Sequence, residues 1–119
     1  MTLPDDVSWV RGAALDDIEE GGAVAATCAG VPVCLARSGD QVYALIDRCS
    51  HQDVPLSAGE VEDGAIECYL HGSRFDLATG KVLGPPAVKD VRTFPVRTEA
   101  GQVYVGMPHG TAAPRKDVP

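Results

Sequence analysis

The chain has 119 residues, 45% hydrophobic and 23% charged, a composition that suits one globular domain with a modest core. Its formal net charge of -7 argues against nucleic acid as a partner, because little is present to neutralise a row of phosphates. No apolar run approaches the roughly 20 residues that span a bilayer, and Met1-Thr2-Leu3-Pro4-Asp5-Asp6 lacks the basic start and apolar stretch of a signal peptide, so the expected location is the cytoplasm, away from membranes.

Taken in chain order, Leu15–Glu20 is the one helix-like stretch, and it is too short for more than a turn or two. Short runs rich in Val, Ile, Tyr and Thr then predict strands over Val24–Cys28, Val31–Ala36, Val42–Ile46, Ala65–Cys68, Thr93–Thr98 and Gln102–Val105. Gly-containing turns recur at Ala29-Gly30, Ser38-Gly39-Asp40, Asp63-Gly64, Thr79-Gly80 and Ala100-Gly101. Short strands closed by such turns predict an all-β chain, an antiparallel β sandwich or barrel. Residues 47–86 depart from this pattern as two turn-rich lobes. Residues 108–119 show no periodicity and are expected to form a flexible tail, leaving a single domain over 1–107. The negative excess lies in the first two thirds: seven acidic against two basic residues over 1–44, seven against three over 45–86, and three against five over 87–119. Such a surface suits electrostatic docking to a basic partner, or serves solubility alone.

Two motifs carry the chemistry. Cys49-Ser50-His51 reads C-x-H, Cys68-Tyr69-Leu70-His71 reads C-x-x-H, and 16 residues separate His51 from Cys68. Each pairs a soft thiolate with an imidazole, both suited to iron or zinc. Each also lies at the end of a predicted strand, so the two pairs can sit on loops leaving the same end of a sheet. An Asp63-Gly64 hairpin would lead into the second. The candidate metal ligands are therefore Cys49, His51, Cys68 and His71. A tetrahedral zinc site on the same four residues is the rival, although structural zinc sites more often use Cys-x-x-Cys knuckles or histidines paired on a helix. His109 falls in the expected tail as a solvated residue. Cys28 and Cys34 flank the Ala29-Gly30 turn. With a two-residue turn Cys28 faces Val31 and Cys34 faces Ala25, so the two do not meet in a disulfide and are read as small buried apolar side chains.

The C-x-H and C-x-x-H pair at this separation, with Gly72-Ser73, Phe75-Asp76 and Gly84-Pro85-Pro86 beyond it, resembles the Rieske family. The resemblance implies a Rieske-like base with an inserted two-loop cluster-binding lobe at about 47–86, holding one 2Fe–2S cluster. It assigns Cys49 and Cys68 to the inner iron and His51 and His71 to the outer one, their ring edges forming the electron port. Gln52, Val54, Leu56, Leu70, Pro85 and Pro86 would form an apolar rim, or in the case of Val54 and Leu56 simply pack the lobes. Arg48 and Arg74 would orient a partner, or balance Asp47, Asp53 and Asp76. Members from quinol-oxidising complexes carry two further cysteines, where this chain has Val54 and Leu70, and a tyrosine donor where it has Phe75. The matching serine, Ser73, is retained, as a donor to sulfur or as a turn hydroxyl. A lost donor places the potential toward the low end of the family's range of roughly -150 to +300 mV.

These features resemble the soluble ferredoxins of aromatic-ring-hydroxylating dioxygenases. They imply a monomeric one-electron carrier, not itself an enzyme, between a flavin-dependent ferredoxin reductase and a terminal oxygenase. The alternatives are an accessory ferredoxin for a monooxygenase or for cluster assembly, and the small subunit of a nitrite reductase.

Overall fold

The computed structural model describes residues 7–50, 54–70, 72–85 and 87–108. Among the described residues eleven strands run in order: β1 (Val7–Ala14), β2 (Ala23–Cys28), β3 (Val31–Ser38), β4 (Gln41–Ile46), β5 (Glu60–Glu62), β6 (Ala65–Glu67), β7 (Arg74–Asp76), β8 (Val82–Gly84), β9 (Thr93–Phe94), β10 (Val96–Glu99) and β11 (Gln102–Pro108). They form three sheets, ordered β1-β11-β10, β2-β3-β4-β9 and β5-β6-β7-β8, and every pairing is antiparallel. The all-β expectation holds, and no described helix is long and apolar enough to cross a membrane.

The turns form where Gly and Asp supply left-handed backbone. Asp63 and Gly64 have φ of 56 and 76 and close β5 onto β6, with Glu62 facing Ala65. Positive φ at both central residues matches the twist of a tight hairpin. At Ala29-Gly30 the same geometry pairs Cys28 with Val31 and Ala25 with Cys34, the register expected from the sequence.

Several features refine or differ from expectation, and β5, β7 and β8, like β1, have no counterpart among the predicted strands. The predicted strand Thr93–Thr98 is two strands in two sheets, because Pro95 has no N–H to continue the ladder. β9 pairs with β4 and β10 with β11. Leu15–Asp17 is a single 3-10 turn. β1 has no counterpart among the predicted strands, since an irregularity between Arg11 and Ala13 breaks its alternation. β11 runs to Pro108, paired with Val7, one residue into the expected tail; residues 109–119 lie outside the described residues.

The middle sheet is the floor of the molecule. Along β3, Val33 and Leu35 enter one core with Ile18, Phe94, Val103, Val105 and Met107. The intervening Cys34 and Ala36 enter a second core with Leu56, Ile66, Phe75 and Leu77. Because successive side chains point to opposite faces, a strand buried on both sides must be apolar throughout, and Val33 to Ala36 are all fully buried. Each large apolar side chain so buried contributes about 1.5–3 kcal/mol. The β1-β11-β10 sheet covers one face of this floor, and the lobe built on β5–β8 stands on the other.

Candidate metal centre

The first ligand loop leaves β4 at Ile46. Asp47 N–H donates to the Pro32 carbonyl (3.0 Å), and Cys49 N–H donates across the loop to the Val54 carbonyl (2.9 Å). The Asp47 carboxylate accepts from Ser57 twice, from its N–H and from its hydroxyl, both at 2.7 Å. The second ligand loop leaves β6 at Glu67. Cys68 N–H donates to the Ser73 carbonyl (2.7 Å), and Gly72 N–H returns to the Cys68 carbonyl (3.0 Å).

A third loop, following β8, bears no ligand but is gripped from both sides. Ser50 Oγ donates to the Lys89 carbonyl (2.5 Å), and Ala87 N–H donates to Ser73 Oγ (3.0 Å). Ser73 is fully buried. Because its oxygen accepts, its own hydrogen remains available to a nearby acceptor.

These turns bring Cys49 and Cys68 into the same buried cluster, with Leu56, Ile66, Phe75, Leu77, Ala87 and Val91 around them. Cys49 is 2% exposed and Cys68 1%, and neither is in a disulfide. Two buried cysteines outside any disulfide, delivered by two tight loops, are a donor set that fits iron in a dry site. The other two sequence-predicted ligands, His51 and His71, lie outside the described residues, as do Gln52, Asp53, Pro86 and His109.

Of the expected rim, Leu70 and Pro85 are exposed and Val54 is half-buried. Leu56 is fully buried and belongs to the packing instead, because the 3-10 turn Leu56–Ala58 turns it into the core. Sequence reasoning missed the rest of the apolar surface. Tyr69 (56% exposed), Leu70 (42%), Leu83 (53%) and Val88 (83%) are all the exposed large hydrophobics among the described residues, and all four lie in the lobe or the loop that follows it. Arg74 donates to the Glu62 carbonyl (3.3 Å), and Asp76 accepts from Thr79 N–H and hydroxyl, so both serve the lobe's turns.

Cys28 and Cys34 are free and buried, as expected. Burial pushes the Cys28 thiol up. Burial, with the Asp47 carboxylate adding to it, pushes Cys34 up further. Both therefore stay protonated and act as apolar side chains.

The Rieske [2Fe-2S] domain family matches residues 8–95. The ferredoxin component of the naphthalene 1,2-dioxygenase/salicylate 5-hydroxylase systems of a Ralstonia species is 39% identical over 100 residues, covering 84% of this chain and 96% of that protein. The ferredoxin of carbazole 1,9a-dioxygenase from Nocardioides aromaticivorans superposes with a TM-score of 0.80 at 35% identity, over 84% of this chain and 98% of its own. A chain from a complex of reduced oxygenase and oxidised ferredoxin in carbazole 1,9a-dioxygenase superposes with a TM-score of 0.76 at 33% identity, over 82% of this chain and 92% of that one.

Proposed function

This chain belongs to the Rieske [2Fe-2S] domain family, and on that premise we propose that it is the electron-carrying component of a multicomponent aromatic-ring dioxygenase. It takes electrons from a flavin-dependent ferredoxin reductase and delivers them to a terminal oxygenase. When bound, the 2Fe–2S cluster takes up one electron and gives it up again, with no covalent bond to substrate. The observation that carries the reading is the burial of Cys49 and Cys68 together within the lobe that, with the loop after it, holds the exposed apolar side chains. The names of the relatives, ferredoxin components of dioxygenase systems, support the choice of system.

The residues divide the work. Cys49 and Cys68 would hold one iron of the cluster, and His51 and His71 the other. The apolar core around the two thiols keeps water from them. Ser73 accepts from Ala87 N–H and so keeps its hydroxyl hydrogen, which would donate to a cluster sulfur when the cluster is held, while the fully buried Phe75 offers no such donor. Each hydrogen bond to sulfur favours the more negative reduced state, so one donor in place of two sets a potential low in the family's range. Tyr69, Leu70, Leu83 and Val88 provide apolar contact area at the docking end. The complex of an oxygenase with a related ferredoxin supports an oxygenase as the recipient. The role is that of a carrier, acting as a monomer in the cytoplasm, with one domain over 1–107.

An anaerobic redox titration of the purified protein, followed by low-temperature EPR of the reduced form, tests this. The expected result is a one-electron signal of the mixed-ligand 2Fe–2S type with a midpoint toward the lower end of the range. A colourless, EPR-silent protein retaining zinc would overturn it.

A further inference from the structure

Asp47 lies outside the C-x-H motif, yet both oxygens of its carboxylate are hydrogen-bonded. It is half-buried, and both its oxygens are spent on one residue ten positions away: Oδ1 accepts the Ser57 N–H and Oδ2 the Ser57 hydroxyl, each at 2.7 Å. The Ser57 N–H lies in the first turn of Leu56–Ala58, where no intrahelical acceptor exists. The residue before that turn, Pro55, makes no side-chain capping bond. Asp47 supplies the acceptor from the far side of the loop. The clasp encloses the stretch that contains Cys49, and within it Cys49 N–H meets the Val54 carbonyl.

Its consequences reach the second ligand loop. Just beyond Ser57, Gly59 lies so close to the Glu67 carbonyl that a Cβ at that position would collide with it. Glu67 is the last residue of β6, and Cys68 follows directly. Leu56, inside the clasped turn, is buried in the same cluster as both cysteines. A short path of contacts therefore runs from Asp47 through Ser57 and Gly59 to the strand that delivers Cys68.

We infer that Asp47 is a positioning residue for the metal centre, acting through Ser57 to fix Cys49 relative to Cys68. The inference rests on the cluster reading above. Hydrogen bonds to a carboxylate are stronger than neutral ones, and the two made here are what stop the ligand loop from opening about its ends.

The test uses cluster-loaded protein: wild type, Asp47→Ala, Ser57→Ala, Ser57→Thr and the Asp47→Ala/Ser57→Ala double variant. Three quantities are read: the bleaching rate of the visible band under an iron chelator, the g-values of the reduced form, and the midpoint potential. Asp47→Ala is expected to bleach about tenfold or more faster than wild type, the worth of one hydrogen bond to a charged group, and to shift the g-values and the potential. Ser57→Ala keeps the N–H and falls between. Ser57→Thr keeps both donors and returns to wild-type behaviour. The double variant is no faster than Asp47→Ala alone, because the two residues act as one unit.

Wild-type bleaching and g-values in both single alanine variants would overturn the inference, as would fully additive effects in the double variant. Should Asp47→Ala fail to assemble a cluster, the contrast between Ser57→Ala and Ser57→Thr decides: a difference supports the clasp and equality overturns it. A wild-type protein without the mixed-ligand signal overturns the cluster reading and this inference together. A normal wild-type signal with unaltered variants overturns the inference alone.

Discussion

The two cores that share β3 are closed in different ways. The base core is made from strands of seven and eight residues, β1, β3 and β11, whose alternate side chains interlock between two sheets. The lobe's own sheet has four strands of three residues each. Strands so short cannot hold an independent sheet. The lobe borrows Cys34, Ala36 and Leu45 from the other face of the middle sheet and fastens its loops with polar side chains: Asp47 to Ser57, Ser50 to the Lys89 carbonyl, and Ser73 to Ala87 N–H. The base is thus a platform maintained mainly by apolar burial, with Arg37 tying in the Ile18 carbonyl at its edge. The lobe trades hydrophobic area for hydrogen-bonded loops, and its remaining stability must come from metal, because binding energy at such a site is also folding energy.

Removing a proposed ligand is the strongest way to break that comparison. Cys68→Ser should lose the cluster completely, and hydrogen exchange should show amides of β6 and β7 falling to little or no protection while those of β3 and β11 keep theirs. Protection lost equally from β11 would mean that the two cores are one cooperative unit. A cavity in the base tests the converse. Leu35 is fully buried in the base core, and Leu35→Ala should cost about 2–5 kcal/mol, read from the denaturant midpoint. The potential of the folded protein should stay at its wild-type value, and a large shift would show that the base tunes the centre directly.

A smaller change separates chemistry from packing inside the lobe. Phe75 is fully buried in the cluster that holds Cys49 and Cys68. Phe75→Tyr adds one hydroxyl there, and if it reaches a cluster sulfur the midpoint potential rises with little loss of stability. If it finds no acceptor, the buried hydroxyl costs about 1–3 kcal/mol and the potential does not rise. Potentiometry and a melting curve on the same sample distinguish the two.

What the sequence disclosed follows the same division. The two motifs stood out because thiolate and imidazole chemistry is written within four residues of chain, and the structure buries their cysteines, Cys49 and Cys68, in one cluster; Asp63-Gly64 was legible because a tight hairpin constrains two adjacent residues. The Cys28–Val31 register followed from turn length alone. β5, β7 and β8 were invisible because three residues are too few for a period to be counted; β6, equally short, was found only by the Asp63-Gly64 turn signal before it. β1 was hidden by the irregularity after Arg11, which interrupts its alternation. The break at Pro95 had a readable signal, a proline inside a predicted strand, and that signal should have divided Thr93–Thr98. The contacts that shape the candidate site were beyond reach. Asp47 and Ser57 are ten residues apart, Ser50 and Lys89 thirty-nine, and such pairs exist only once the loops have closed on the platform.

The smallest expected effect lies in the base, where stability can be changed without touching the centre. Ala29 holds φ of 53 in the two-residue turn between β2 and β3, a left-handed conformation that costs an ordinary L-residue roughly 1–2 kcal/mol. Asn tolerates it better, because its short amide can bond locally, and Asn-Gly is the preferred sequence for this turn. Ala29→Asn should therefore raise stability by about 0.5–1 kcal/mol, part of the left-handed cost, as a shift in denaturant midpoint at constant slope. The chelator bleaching rate should stay at the wild-type value, since the turn carries no side chain into either ligand loop. Slower bleaching would mean that a more stable platform holds the lobe more firmly, and the two cores would then have to be treated as coupled.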